Sequence, residues 1–216
     1  MDRRRKLAAL YREIHKHYSG RDRKLERRRL IPEALESRVM LIGQALARDT
    51  QRLSGIPYYS PPAQDPSLSR RGGGPVLDKF LAGFGYTIQL GGKGQYAYHT
   101  DLALYFPGRK ALGKGDIPPA PEEIGRWLER EIQLLQPVVV VTLGLQASAY
   151  FLERYAGRRI RKLDEVAGIP VSCHVLGRQA EMIAVYHPSG AFQHAASQET
   201  YRLTAKHIRR ILAKSE

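Results

Sequence analysis

The segment that most constrains the fold is an uninterrupted apolar run, Val138 to Leu143, which lies between Pro137 and Gly144. The run is almost entirely β-branched, and its length suits a strand better than a helix. Because apolar and polar residues do not alternate along it, both faces of this strand must be buried. Burial on both faces is typical of a central strand in a parallel sheet, so we expect an α/β protein.

Three further apolar segments are expected to be strands of the same sheet: residues 39–42, 96–103 and 182–186. The segments between them carry apolar side chains at helical spacing, so strand and helix alternate four times along the chain. This alternation favours a mostly parallel sheet with helices on both faces. Residues 171–176 are a candidate for a short additional edge strand.

Length and cysteine content limit the class of protein. A chain of 216 residues with 43% hydrophobic residues can form one domain with a full core. The only cysteine, Cys173, excludes an intramolecular disulfide, a thiolate zinc cluster and a four-cysteine iron–sulfur site. No apolar run approaches the roughly 20 residues of a membrane span, and no apolar stretch follows the basic N-terminus. We expect a cytoplasmic protein without a metal or cofactor.

The charge of the chain predicts a polyanionic partner. Lysine and arginine number 35 against 21 acidic residues, which gives a net charge of +14. Each phosphate that such a surface neutralises releases condensed counterions, so binding to nucleic acid is the leading interpretation. The alternative is a protein that is merely basic. Binding to a membrane surface is disfavoured, because no segment combines a strongly apolar helical face with this charge.

The first 30 residues form a basic segment with a helical pattern. They contain twelve lysines and arginines against four acidic residues, a net of +8. Apolar and aromatic side chains recur at helical spacing, which predicts a helix docked on the remainder of the chain with a basic outer face. Those side chains are Leu7, Leu10, Tyr11, Ile14 and Tyr18. The basic face either contacts a nucleic-acid backbone or is simply solvated. We treat residues 1–30 as a basic N-terminal helical segment and 31–216 as the domain.

Polar residues follow the ends of several predicted strands. Gln44, Asp49 and Tyr58 come after the first strand, Asp101 lies near the end of the second, and His187 follows the fourth. In open α/β sheets, ligands bind beyond the carboxyl ends of the strands. We therefore expect these five side chains to form one site, although each alone could be an ordinary loop, cap or core residue.

A glycine-rich segment supplies a candidate phosphate contact. Arg70 and Arg71 precede Gly72, Gly73 and Gly74, which open a predicted helix. The exposed backbone N–H groups at such a helix start suit a phosphate. The spacing matches neither a P-loop nor a dinucleotide-binding fingerprint, so only a contact to a phosphate backbone is predicted.

Several segments together resemble a known family. GQALARD…GIPYY, the glycines before a helix, HTDLALYFPGR, PAPEEIGRWLEREIQLLQPVVVVTLG and VYHPS follow one another over residues 39–193. Their order and approximate spacing are similar to those of the uracil-DNA glycosylase superfamily, and the nearest branch is the family 4 type. The resemblance implies a three-layer α/β/α sandwich with a four-stranded, mostly parallel central sheet. It also implies hydrolysis of the N-glycosidic bond of a uracil flipped out of DNA.

The resemblance also implies roles for single residues. Gln44 falls where the family places its water-positioning residue, and Tyr58 falls where an aromatic ring stacks on the base. Asp101 stands at the asparagine that reads the base edge, and His187 stands at the histidine that donates to the uracil carbonyl. Asp49 is the candidate for the acidic residue of the first motif. The family inserts the segment after its HPS motif into the duplex, so the DNA contacts expected here are Ser189, Gly190, Phe192 and Gln193, with Phe192 as the wedge. Arg70 and Arg71, at the glycine-rich segment, are the other DNA contacts that we expect.

The chain departs from the family 4 pattern in three respects, of which one is that the GEAPG turn has become GQALA. The third and fourth cluster cysteines fall near Tyr105 and Ile124, so no iron–sulfur cluster is expected. Asp101 replaces asparagine, and an ionised aspartate can accept hydrogen bonds but cannot donate one to a base carbonyl. Four explanations stay open: Asp101 is protonated, the preferred base differs, Asp101 acts on the sugar cation or on water, or catalysis is lost.

The sequence therefore predicts a monomeric, metal-independent DNA glycosylase that removes uracil from single- or double-stranded DNA. Whether it also removes other deaminated bases stays open. We identify no lysine placed to form a Schiff base, so we expect a monofunctional enzyme without strand cleavage. The alternative is a catalytically inactive nucleic-acid-binding protein of the same fold.

Overall fold

A central sheet of five strands forms the middle layer of the protein. The computed structural model describes residues 2–18, 32–45, 73–88, 92–104, 121–188 and 195–215. Within these residues the main strands are β1 (Val39–Ala45), β4 (Tyr98–Ala103), β5 (Val139–Leu143), β6 (Pro170–Val175) and β7 (Arg178–Val185). Their order across the sheet is β4-β1-β5-β7-β6. The four strands β4, β1, β5 and β7 are parallel, and β6 pairs antiparallel with β7.

The expected α/β fold is confirmed, with one strand more than the four expected. The fifth strand is β6, which covers residues 171–175 of the candidate edge segment of residues 171–176 and forms a hairpin with β7. The hairpin turns at Leu176 and Gly177, whose φ angles are 52° and 80°. Two consecutive positive φ angles are the requirement of a tight type I′ hairpin. The central run behaves as predicted, because every residue of β5 is buried.

Helices cover both faces of the sheet. The five α-helices of the described residues are α1 (Arg3–Tyr18), α2 (Gly73–Ala82), α3 (Pro121–Leu135), α4 (Leu145–Ala156) and α5 (Ala195–Lys214). Short 3-10 helices lie at Pro32–Glu36 and Leu163–Glu165. Alternate residues of β1 point to opposite faces. Met40 and Ile42 pack in the core with α1, α3 and α4, whereas Val39 and Leu41 pack with α2 and α5.

Several strand boundaries differ from those expected from the sequence, and β7, expected over residues 182–186, runs from Arg178 to Val185. The first strand does not end at Ile42 but continues through Gly43 to Ala45, because Gly43 pairs with Asp101 of β4. The second strand begins at Tyr98 rather than Tyr96. Residues 95–96 form β3 (Gln95–Tyr96), which pairs with β2 (Tyr86–Thr87) in a separate two-stranded sheet.

The N-terminal helix docks as its apolar pattern predicts. Leu7, Leu10 and Ile14 are buried, and Glu13 forms a two-pronged ion pair with Arg130 of α3, with N–O distances of 2.6 and 3.0 Å. The basic side chains that remain exposed on this helix are Arg4, Arg5, Lys6, Arg12 and Lys16. None of the helices described is long and apolar enough to cross a membrane.

Candidate active site

The carboxyl ends of four parallel strands place three of the predicted site residues along one edge of the sheet. Asp101 lies on β4, Gln44 lies on β1, and His187 follows β7 by two residues. Neighbouring strands are about 4.8 Å apart, so β4 and β7 are separated by roughly 14 Å. Asp101 and His187 therefore come from strands on opposite sides of this edge, and they are placed to contact different parts of a ligand bound there.

Asp101 is buried beside a histidine that the sequence argument did not single out. His99 and Asp101 are two residues apart on β4, so their side chains share one face of the sheet. The imidazole is 5% exposed and the carboxylate 2% exposed, and His99 Nε2 lies 3.9 Å from Asp101 Oδ1. That distance is too long for a hydrogen bond but is within ion-pair range. The signal in the sequence was the His-Thr-Asp spacing inside a predicted strand.

Gly43 provides the space that the Asp101 carboxylate occupies. A Cβ atom at position 43 would lie 2.2 Å from Asp101 Oδ1 and 3.5 Å from His99 Nε2. Any side chain at this position would displace the carboxylate. Glycine is therefore needed on β1 because of the residue opposite it on β4, and not because the chain turns there.

A hydrogen-bonded network behind β4 holds the opposite face of the same strand. The buried carboxylate of Glu131 on α3 accepts hydrogen bonds from Tyr98 at 2.7 Å and from Thr100 at 2.5 Å. The hydroxyl of Tyr11 on α1 is hydrogen-bonded to that of Tyr98 and also lies 3.2 Å from the Glu131 carboxylate. These contacts fix β4, and they therefore position His99 and Asp101 on its other face.

Contacts of neighbouring residues hold His187 in place after β7. The hydroxyl of Tyr201 on α5 donates to the carbonyl oxygen of Tyr186 at 2.6 Å, and the Tyr186 hydroxyl donates to Asp164. Gly144 directly follows β5 and has a φ of 89°. A Cβ atom added at Gly144 would lie 3.5 Å from the His187 Cβ. Burial lowers the pKa of the His187 imidazole, which favours the neutral ring.

Gln44 lies at the same edge but on the other side of the sheet. Its side chain is partly buried and alternates away from Gly43, so it does not share the face of Asp101. The remaining predicted site residues lie outside the described residues: Asp49, Tyr58, Arg70, Arg71, Ser189, Gly190, Phe192 and Gln193. The predicted helix after the glycine-rich segment is present, since α2 begins at Gly73.

The cysteine content does not fit the iron–sulfur cluster of family 4 enzymes. Such a cluster is held by four cysteine thiolates, and this chain has only Cys173. Cys173 is buried in β6, its thiol donates to the carbonyl oxygen of Val171, and burial raises its pKa to about 11. Among the described residues, no group of three or more His, Cys, Asp or Glu side chains is arranged to hold a metal ion.

Comparisons with known proteins show the superfamily to which the chain belongs. A sequence profile described as the uracil DNA glycosylase superfamily matches residues 32–214. The chain is also similar to the Type-4 uracil-DNA glycosylase of Archaeoglobus fulgidus, with 23% identity over 184 residues that cover 84% of this chain and 80% of the relative. The profile covers every strand of the sheet and the whole edge that carries Asp101 and His187. The chain therefore belongs to the uracil-DNA glycosylase superfamily.

Proposed function

We propose that this protein is a monofunctional DNA glycosylase that hydrolyses the N-glycosidic bond of a uracil flipped out of DNA. The observation that carries the proposal is the row formed by Asp101, Gly43, Gly144 and His187 along one sheet edge in a chain of this superfamily. A uracil inside a duplex is not accessible to such an edge, so the base must leave the stack before reaction. The positive charge of the chain supports DNA as the partner.

The chemistry requires two charges to be stabilised. As the bond between C1′ and N1 breaks, both electrons stay on the base, and the sugar becomes an oxocarbenium ion. A water oxygen then bonds to C1′ and loses a proton, and the released base gains a proton. The products are free uracil and an abasic site.

His187 is suited to stabilise the leaving base. A neutral imidazole still carries one N–H, which can donate to the base carbonyl where negative charge develops. The lowered pKa of His187 keeps the ring in that form at neutral pH. One well-placed donor of this kind typically lowers the barrier by about 3 kcal/mol.

Asp101 is suited to act on the sugar or on water. Its position at the β4 end of the edge, roughly 14 Å from β7, separates it from the base-stabilising histidine. A carboxylate there can stabilise the sugar cation or accept the proton of the attacking water. Gln44, on the other side of the sheet edge, is proposed to help place that water.

The deciding experiment measures base release. The protein is incubated with oligonucleotides containing a single uracil, hypoxanthine or xanthine, and abasic sites are then cleaved with alkali. Alkali-dependent cleavage at uracil supports the proposal, and cleavage without alkali would contradict a monofunctional enzyme. Oligonucleotides with thymine at the same position, and His187→Ala protein, are the controls.

A catalytically inactive DNA-binding protein is the second candidate. It is favoured by aspartate in place of the family asparagine in a chain with a net charge of +14. DNA binding without product from any of the three damaged bases would support this candidate and refute the glycosylase.

A further inference from the structure

The His99–Asp101 pair has features that the proposed function alone does not require. Both side chains are almost fully buried on the face of β4 that also contacts Gly43, and Nε2 and Oδ1 are 3.9 Å apart. We propose that His99 is a positioning residue of the active site, which pairs with Asp101 as a cation and keeps its carboxylate ionised and aimed at the sheet edge. This inference rests on the proposed glycosylase activity.

The charge of the buried Asp101 carboxylate depends on its surroundings. An isolated carboxylate taken out of water becomes protonated, because burial penalises its charged form. A cationic imidazole within about 4 Å offsets that penalty and restores the ionised form. The His99 ring lies at this distance from Asp101, so as a cation it favours the ionised carboxylate against the effect of burial.

The position of the Asp101 carboxylate is also closely constrained. Oδ1 lies over Gly43, in space that even a methyl group would fill, and the same space borders His99 Nε2. The opposite face of β4 is fixed by Glu131 through Tyr98 and Thr100. Two strands and one helix therefore determine the position of a single carboxylate, a degree of constraint that suits a catalytic charge.

An ionised Asp101 is compatible with only some of the roles that the sequence leaves open for it. An ionised carboxylate accepts hydrogen bonds only, so it cannot reproduce the amide that both accepts from and donates to a uracil edge. With His99 as its partner, Asp101 acts on the oxocarbenium sugar or on the attacking water. Asp101→Asn is therefore expected to lower the rate of uracil release rather than improve it.

A double-mutant cycle on uracil-containing DNA tests the pair. Single-turnover rates and DNA affinities are measured for wild type, His99→Gln, Asp101→Asn and the double variant. We expect His99→Gln to lower the wild-type rate by about tenfold or more with DNA affinity unchanged, and to alter the Asp101→Asn rate by less than about twofold. A wild-type rate in His99→Gln, or the same loss in both backgrounds, overturns the proposal.

Urea unfolding of the same four proteins gives a readout that does not need activity. A charge pair predicts that the midpoint shifts of the two single variants do not add up in the double variant, whereas additive shifts overturn the pair. His174→Gln, at an exposed histidine of β6, is the matched control and should change neither rate nor midpoint. If His99→Gln does not fold, His99→Asn takes its place.

An inactive wild type overturns the proposed function and the catalytic role of the pair. The urea cycle then still decides whether the two residues are coupled.

Discussion

At the scale of single residues, the identity of one site residue is set by its neighbour across the sheet. Gly43 has no side chain because the Asp101 carboxylate occupies the space where one would begin. The sequence shows a glycine at the end of an apolar run, and a turn is the ordinary interpretation of that pattern. Only the register that pairs Gly43 with Asp101 reveals the actual reason.

Gly43→Ala is expected to abolish the arrangement around Asp101. The new Cβ would lie 2.2 Å from Oδ1, so the carboxylate must move. We expect a loss of at least about tenfold in single-turnover rate and a destabilisation of about 1–3 kcal/mol, the usual range for overpacking. Gly125→Ala on α3 is the control, because its Cβ would be 3.7 Å from the nearest atom, and alanine there should stabilise the helix by about 0.5–1 kcal/mol. An unchanged rate in Gly43→Ala would remove Asp101 from the reaction.

His187 predicts a pH dependence of stability with a definite sign. Burial places its folded-state pKa below the ordinary value of 6.5, so below pH 6.5 the unfolded chain binds a proton that the folded protein does not. The contribution of the neutral ring is therefore complete above pH 6.5 and is lost as the pH falls through the folded-state pKa.

Urea unfolding of wild type and His187→Asn between about pH 5 and pH 8 measures this contribution. The difference in unfolding free energy between the two proteins should be constant above pH 6.5 and should change in favour of the variant below it. Other titrating groups are common to both proteins and cancel. Parallel curves over the whole range would mean that His187 is not held neutral by the fold.

At the scale of elements, local pattern predicted the strands but not the contacts that position the site. The β5 run and the parallel order could be expected, because burial on both faces leaves a continuous apolar signal. The contact of Glu131 with Thr100 joins residues 31 positions apart, and that of Tyr11 with Glu131 joins residues 120 apart. No periodicity reports such pairings. Hence Asp101 and His187 could be selected from the sequence, whereas the partners that hold them could not.

Helix α5 is expected to act on His187 through one hydroxyl. Tyr201→Phe removes the hydrogen bond to the Tyr186 carbonyl oxygen, which directly precedes His187. We expect a loss of about 1 kcal/mol in stability and a fall in single-turnover rate with unchanged DNA affinity, because the loop carrying the donor is less well fixed. Tyr155→Phe makes the same chemical change at a hydroxyl that contacts Glu129 on the opposite layer, and its rate should be that of wild type. Equal rates in the two variants would contradict a positioning role for Tyr201.

At the scale of the whole molecule, the basic N-terminal helix runs along one layer from the amino ends of the strands towards their carboxyl ends. Arg3 donates to the Leu35 carbonyl oxygen and pairs with Glu36, just before β1 begins. At the other end His17 contacts the ring of Trp127 and lies 3.6 Å from Glu123, near the start of α3. Since α3 ends where β5 begins, its start lies at the carboxyl edge of the sheet, where the proposed site is. The last turns of α1 are thus closer to the proposed site than the first.

The salt dependence of DNA binding should therefore differ between the two ends of this helix. Arg12→Gln with Lys16→Gln removes two exposed charges near the site edge, and Arg4→Gln with Arg5→Gln removes two exposed charges at the far edge. If the near pair contacts phosphates, the slope of log affinity against log salt should fall by about 0.7–0.9 per lost contact, whereas the far pair should leave it unchanged. Affinities measured over a salt series for the three proteins decide this. Equal changes of the slope in both variants would indicate a general effect of net charge. An unchanged slope in both would mean that this face of α1 is solvated. Because each variant loses two charges, the comparison separates a local phosphate contact from the effect of net charge.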